Sequence, residues 1–408
     1  MIDATLKDQL HQKLEEIDAL IKKNYQQSGE IGALSGLAGL AIFEFYYANY
    51  KNLPESADAA EEIISMAFDQ INEGYNLPTF CAGIAGMGWA LQFLETQDFI
   101  EIDCDELLPD LDDFLIESMN IETQENFYDF LHGVLGMAFY FLQRNQHTSS
   151  DMLKQRYEQV INNTIQRLKE TAVFDEDTAK WEAYLIRESK TRGYNLSLAH
   201  GIASIVNFLS RVARDEPFKA EATDLLQKAA NYLLRFENAM DEGNCTFPDW
   251  VFLNGALQQS GRLAWCYGDI GIAISLRRAG EALGDESLSQ KGLDILLAST
   301  KRRDPEDTKV VDVGICHGAA GLMHMYQHLY QQTSMVDFQQ AADYWAQQTL
   351  EMAIHQDGYA GYMQKRGDEK KPWVAELNML EGIAGIGLAI ISYLSPEMSQ
   401  WNEALLID

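Results

Sequence analysis

Basic residues are scarce in this chain. Its 408 residues carry 31 Lys and Arg against 62 Asp and Glu, a net charge of −31. A surface of that sign repels a phosphate backbone, which excludes nucleic acid as a partner and gives an anionic membrane no hold. A cationic or neutral peptide stays compatible. Long apolar runs are missing as well. No stretch of about eighteen uninterrupted apolar residues occurs, and the longest candidate, around residues 36–47, is broken by Glu44. No integral membrane segment is expected. Residues 1–7 are charged and lack an apolar core, so no secretory signal is read there. Cysteines are few and odd in number: Cys81, Cys104, Cys245, Cys266 and Cys316, without framework spacing. That excludes a disulfide scaffold and leads to the expectation of reduced thiols in a cytoplasm. Hydrophobic residues make up 47% of the chain, which excludes disorder and allows a large core.

What is present is a repeat. Two glycines three positions apart recur within small, apolar runs: Gly36 and Gly39, Gly83 and Gly86, Gly133 and Gly136, Gly268 and Gly271, Gly318 and Gly321, Gly382 and Gly385. A further copy begins at Gly201 and has Ser204 in place of the second glycine. The first glycines lie 47, 50, 68, 67, 50 and 64 residues apart. Each interval has room for a second helix of about 15–20 residues and two turns. The intervening segments, such as residues 6–22, 58–71, 149–169 and 218–235, carry apolar residues at three- and four-residue spacing among charges. The glycine-containing segments are apolar nearly all round, as helices buried on both sides should be. Small residues one turn apart suit close packing of an inner ring. Neither end has a polar capping repeat, so closure is expected: a single all-α domain over residues 1–408, an (α/α)7 barrel of seven outer–inner helix pairs. Residues 173–196 and 244–263 mix aromatic, β-branched and turn-forming residues and read as irregular or short β insertions. Residues 357–374, with a polar loop at 365–371, make a third irregular stretch.

Aligned on the first glycine, the repeats concentrate reactive side chains at one place. The residue just before it is Ser35, Ala82, His132, His200, Tyr267, His317 and Glu381 in turn, and two before it stand Leu34, Cys81, Leu131, Ala199, Cys266, Cys316 and Leu380. This is the N-terminal mouth of each inner helix, whose partial positive charge favours thiolate over thiol. Cys266, Cys316 and His317 offer two thiolates and an imidazole from consecutive repeats. Such a set suits a soft divalent ion, zinc foremost, with the fourth position open for substrate. Cys81 sits at the equivalent position of the second repeat and reads as a core residue; Cys104 and Cys245 have no partner signal. His200 is a candidate for handling a proton. Asp129 and Arg262 are candidates to orient it or to meet an anionic intermediate, and His132 competes with them on position. His324 and His328 read as structural.

At these residues the chain resembles the lanthionine synthetase C family, the cyclases of lanthipeptide biosynthesis. The motifs are Trp265 to Gly268, Cys316 to Gly318 and Ala199 to Gly201, and the likeness spans essentially the whole chain through the seven repeats. The resemblance implies one zinc ion held by Cys266, Cys316 and His317, with His200, Arg262, Asp129 and Tyr267 lining the active site. It implies a dehydrated precursor peptide as substrate, made by a separate dehydratase, and addition of a cysteine thiol to dehydroalanine or dehydrobutyrine to form a thioether. His200 then protonates the α-carbon and Arg262 stabilises the oxyanion. Three other readings compete. One is a relative that couples glutathione to dehydrated residues; another is a peptide-binding scaffold with a structural zinc. The third is a carbohydrate-active helical barrel using paired carboxylates, which has no need of Cys266 or Cys316.

Overall fold

A computed structural model describes residues 4–186, 189–238, 245–367 and 370–408. Residues 187–188 of the first insertion, residue 244, which opens the second, and residues 368–369 of the polar loop lie outside them. The helices are α1 (Ala4–Asn24), α2 (Leu37–Lys51), α3 (Pro54–Asn72), α4 (Ile84–Thr96), one-turn α5 (Cys104–Leu107), α6 (Pro109–Gln124), α7 (Val134–His147), α8 (Asp151–Thr171), α9 (Ile202–Val212), α10 (Glu216–Leu234), α11 (Asp269–Leu283), α12 (Glu286–Ser299), one-turn α13 (Pro305–Thr308), α14 (Ala319–Thr333), α15 (Val336–Glu351) and α16 (Ile383–Leu394). The periodic segments form amphipathic helices. In α8 the buried residues Leu153, Tyr157, Val160, Ile161, Thr164, Ile165 and Leu168 make one stripe, and the Ser150 hydroxyl caps its start by accepting from Leu153 N. The glycine-containing segments form α2, α4, α7, α9, α11, α14 and α16. In α16 every residue from Ile383 to Tyr393 is buried.

The chain divides into two compact units. One holds the described residues up to 77 together with 81–94 and 310–408, and the other holds 78–80 and 95–309. In the first unit α2 packs on α3, α14 on α15 and α16 on both α14 and α2. In the second, α7 packs on α8, α9 on α10 and α11 on α12, with α9 between α7 and α11. In the pairs α2–α3, α7–α8, α9–α10, α11–α12 and α14–α15 the inner helix packs more closely on the outer helix that follows it, across a short turn, than on the one before it. Among the described residues only a short 3-10 helix (Gln400–Leu405) follows α16, and α1 from the other end of the chain packs against α16.

The glycine pattern has a different physical cause from the one expected. The loop before each inner helix folds back over the helix start. The first helical amide donates to the carbonyl six residues before the first glycine in Leu37 to Glu30 (2.9 Å), Ile84 to Leu77 (2.8 Å), Val134 to Phe127 (3.0 Å), Ala319 to Asp312 (3.1 Å) and Ile383 to Glu376 (3.1 Å). This satisfies amides that a helix N-terminus leaves without partners. A Cβ on Gly268, whose φ is +91°, would run into the Arg262 carbonyl of that loop. The second glycine leaves room for a carbonyl of its own loop and, in several repeats, for the preceding repeat: a Cβ on Gly271 would meet Trp265 O at 2.5 Å and Leu198 Cβ at 2.7 Å, and one on Gly385 would meet Met379 O and, at 2.6 Å, Ile315 Cγ1. A Cβ on Gly39 would meet Met379 Cβ at 2.9 Å, so the seventh repeat plugs into the first. The room serves a loop carbonyl and, in several repeats, a neighbour's side chain.

A second regularity locks the loops together. The residue two before the first glycine donates its amide to the carbonyl of its counterpart in the next repeat: Leu34 to Cys81 (3.0 Å), Ala199 to Cys266 (3.4 Å), Cys316 to Leu380 (2.9 Å) and Leu380 to Leu34 (2.8 Å). The last of these again joins the seventh repeat to the first.

The described parts of the insertions expected at residues 173–196 and 244–263 contain short β strands. In the second unit β1 (Val173–Asp175) and β2 (Thr178–Lys180) form a hairpin, while β3 (Ala183–Ile186), β4 (Thr191–Asn195), β5 (Trp250–Phe252) and β6 (Leu257–Gln258) form one antiparallel sheet in that order. Two insertions distant in sequence therefore build one element, with Tyr194 paired to Val251. In the first unit β7 (Gln364–Lys365) pairs with β8 (Trp373–Val374).

Glu44, which interrupts the longest apolar run, is fully buried on α2. Burial, and then the nearby carboxylate of Asp18, push its pKa up to about 10. A carboxyl raised in the fold favours folding fully below its ordinary value of 4.5 and loses that contribution as pH rises towards 10. Between pH 4.5 and 7 the loss comes to about 3 kcal/mol, at about 1.4 kcal/mol per pH unit. Glu44→Gln is neutral throughout, so its stability relative to the parent should grow over that interval. Urea unfolding of both proteins at pH 4.5 and 7 measures it, and a pH-independent difference would contradict it.

Candidate active site and metal ligands

In the second unit the loop before α9 is built by short-range hydrogen bonds. Asn195, the last residue of β4, accepts at Oδ1 from Ser197 N (3.0 Å), and Ser197 Oγ accepts from His200 N (3.1 Å). The His200 ring is thereby presented at the mouth of α9. The loop before α7 uses the same device: Asp129 Oδ1 accepts from His132 N (2.9 Å). Its other oxygen, Oδ2, lies 2.8 Å from His200 Nδ1. Asp129 is buried, which works against its charge. The facing His200 and the His132 amide outweigh burial and hold the carboxyl below the ordinary aspartate value. Burial also works against a charged His200, but Asp129, with a smaller contribution from Cys266, holds the imidazole above its ordinary value. The pair favours imidazolium beside carboxylate.

Tyr267 flanks this pair. Its ring centroid is 5.9 Å from that of His200, and its hydroxyl accepts from Asn195 Nδ2 at 3.2 Å. Burial raises the phenol pKa. His132, exposed to solvent, stacks on His200 with centroids 5.8 Å apart. Cys266 is 4% exposed, and its carbonyl receives the Ala199 amide. Arg262 is half-buried, with its amide donating to Ser260 Oγ at 3.3 Å. Its charge bears on Asp249, a buried carboxylate that accepts from Ser260 N at 2.6 Å and whose pKa burial raises. The structure thus brings Asp129, His200, Tyr267, His132 and Cys266 into one neighbourhood and sets Arg262 beside Asp249.

In the first unit, Cys316 is 8% exposed on the loop before α14, its amide tied to Leu380 O. His317 follows it, with Nε2 3.4 Å from Asp312 Oδ2. Glu381, at the mouth of α16, faces the same imidazole; burial raises its pKa despite the opposing pull of His317. Cys81 Sγ lies 3.5 Å from Ser35 Oγ, Cys104 is buried beside Glu95, and Cys245 receives Arg302 Nη1 at 3.4 Å. All five cysteines are free thiols. His324 is buried against Trp401, with ring centroids 4.2 Å apart, and His328 bonds to Gln332 and Asn402.

Sequence reasoning missed Asn195, Asp249 and Asp312. A signal existed for two of them. Asn195 and Asp312 stand six residues before the first glycine of their repeats, the place Arg262 holds in its own.

A fold of inner and outer helices, with thiols, imidazoles and carboxylates gathered where the inner helices begin, defines a family. The model of the family described as Lanthionine synthetase C-like protein matches residues 27–406, and the chain belongs to that family. Nisin biosynthesis protein NisC of Lactococcus lactis subsp. lactis is 24% identical over 410 residues, covering 95% of this chain and 91% of that one. A solved structure of nisin cyclase matches with a TM-score of 0.73 at 20% identity, over 97% of each chain. That likeness shows the fold, and the class is the all-α helix-pair barrel expected from the repeats. Among the described residues no helix is long and apolar enough to cross a membrane.

Proposed function

We propose that the chain is a zinc-dependent lanthionine synthetase acting as one catalytic domain. Its reaction adds a cysteine thiol of a dehydrated precursor peptide to dehydroalanine or dehydrobutyrine in the same peptide. The observation that carries this reading is the Asp129–His200 pair beside Cys266 and Tyr267 in a chain of the lanthionine synthetase C-like family. A curated relative is a nisin biosynthesis protein, and a solved structure of the same fold is a nisin cyclase.

The donor chemistry fits zinc. Cys266, Cys316 and His317 would hold the ion, and two thiols with one imidazole are a soft set suited to it. Cys266 and Cys316 hold equivalent repeat positions, each anchored through its own backbone to a neighbouring loop. When bound, the ion keeps a substrate thiol ionised near neutral pH. The remaining steps fall to the chain. As sulfur bonds to the alkene β-carbon, the π electrons move towards the α-carbon and its carbonyl oxygen. Arg262 meets the charge on that oxygen, and His200 delivers a proton to the α-carbon. Asp129 on Nδ1 leaves Nε2 as the nitrogen that gives the proton up. Tyr267, held by Asn195, flanks the His200 ring.

The net change is S–H added across C=C, with no redox partner needed. A separate dehydratase has to supply the alkene. The charge of −31 suits a neutral or cationic peptide, and free thiols suit a cytoplasmic site of action. Incubation with a dehydrated precursor, counting free thiols before and after by alkylation and mass spectrometry, tests the reading. The expected result is loss of one thiol per ring at unchanged peptide mass; thiols that persist while zinc is bound would refute it.

A further inference from the structure

Among the described residues, Asp312 is a fully buried acidic side chain beside His317 to which the proposed reaction gives no role. Its carboxylate is 0% exposed. Oδ2 accepts from Lys365 N at 3.0 Å and lies 3.4 Å from His317 Nε2. Oδ1 is buried and, among the described residues, has no hydrogen-bond partner. The backbone carbonyl of the same residue caps α14 through Ala319 N. The main chain of Asp312 is therefore fixed to the helix that begins just after His317, and its side chain reaches the ring of that residue. A buried carboxylate is costly unless it is paired, and anchoring the Lys365 amide alone does not call for an ionisable group.

We infer that Asp312 is a positioning residue that holds the His317 imidazole through Nε2 and commits Nδ1 to the metal. This rests on the zinc reading above. A neutral imidazole has one N–H and one bare nitrogen, so an acceptor at Nε2 sets the tautomer. A carboxylate in that position also makes the ligating nitrogen more basic and stops the ring from turning. Glu381 bears on the same imidazole from α16, but its side chain is 26% exposed and lies 3.7 Å from Arg366. Among the described residues no Lys or Arg pairs with Asp312, which is the buried partner.

The test uses the full chain and zinc alone. Competition with a chromophoric chelator should show zinc affinity falling about 10- to 100-fold in Asp312→Ala. Asp312→Asn, which keeps an oxygen acceptor, should recover most of it. Histidine 15N correlation spectra of the metal-free parent should show His317 as the Nε2–H tautomer, with that preference lost in Asp312→Ala. Wild-type affinity in Asp312→Ala overturns the inference. So does an Nδ1–H tautomer in the parent, which decides the matter even if the alanine variant does not fold. Cys316→Ala separates the two readings. If that variant keeps its zinc, the metal site itself is wrong; if it loses zinc while Asp312→Ala binds normally, only the role of Asp312 falls.

Discussion

Cys316→Ala should abolish zinc uptake and thioether formation and leave the helices standing. The backbone amide of Cys316 keeps its bond to Leu380 O whatever the side chain, so the loop before α14 retains its anchor. The substitution removes one sulfur from a nearly buried position, a cost on the order of 1 kcal/mol for so small a truncation. The chemical loss is far larger. One thiol and one imidazole do not make a closed zinc site, and metal affinity depends steeply on ligand count and on thiolate charge. Elemental analysis of the purified variant, circular dichroism and the thiol count on a dehydrated precursor measure the three outcomes. Cys81→Ala is the control. Cys81 holds the same repeat position and receives the Leu34 amide as Leu380 receives that of Cys316. Its sulfur lies beside Ser35, and its loss should leave zinc content and turnover unchanged. Full activity in Cys316→Ala would sink the mechanism.

His200→Ala should keep its zinc and lose turnover by a factor on the order of 10² to 10⁴, the usual contribution of a positioned acid or base. Asp129→Asn should lose less, because the amide oxygen can still accept from Nδ1 while the charge that favours the imidazolium is gone. Single-turnover kinetics on a dehydrated peptide, with zinc content measured in parallel, decide between this and a structural role. Unchanged turnover in His200→Ala removes it as the proton donor. Loss of zinc together with turnover would make it a support of the metal site instead.

The site could be read from the chain as far as identical positions in successive repeats carry information. Cys266, Cys316, His317 and His200 stood out because each lies one or two residues before a repeat glycine, where helix starts recur at the same depth. Arg262 and Asp312 share a less conspicuous position, six residues before the glycine, where the backbone carbonyl has the recurring job and the side chain varies. That is why Asp312 and Asn195 escaped attention. Asp249 lies in an insertion without any repeat register.

By itself the sequence determined the alternation of amphipathic and wholly apolar helices, the number of repeats and the chemical kind of each donor. These follow from spacing and composition, which act over a few turns of chain. Only the tertiary structure decided which groups meet. Asp129 and His200 are 71 residues apart, and Asn195 and Tyr267 are 72 apart. α1 and α16 come from opposite ends of the chain and pack together, and β4 pairs with β5 across the whole of α9 and α10. Contacts at such separations depend on how neighbouring repeats seat against each other's loops, and local periodicity carries no record of that.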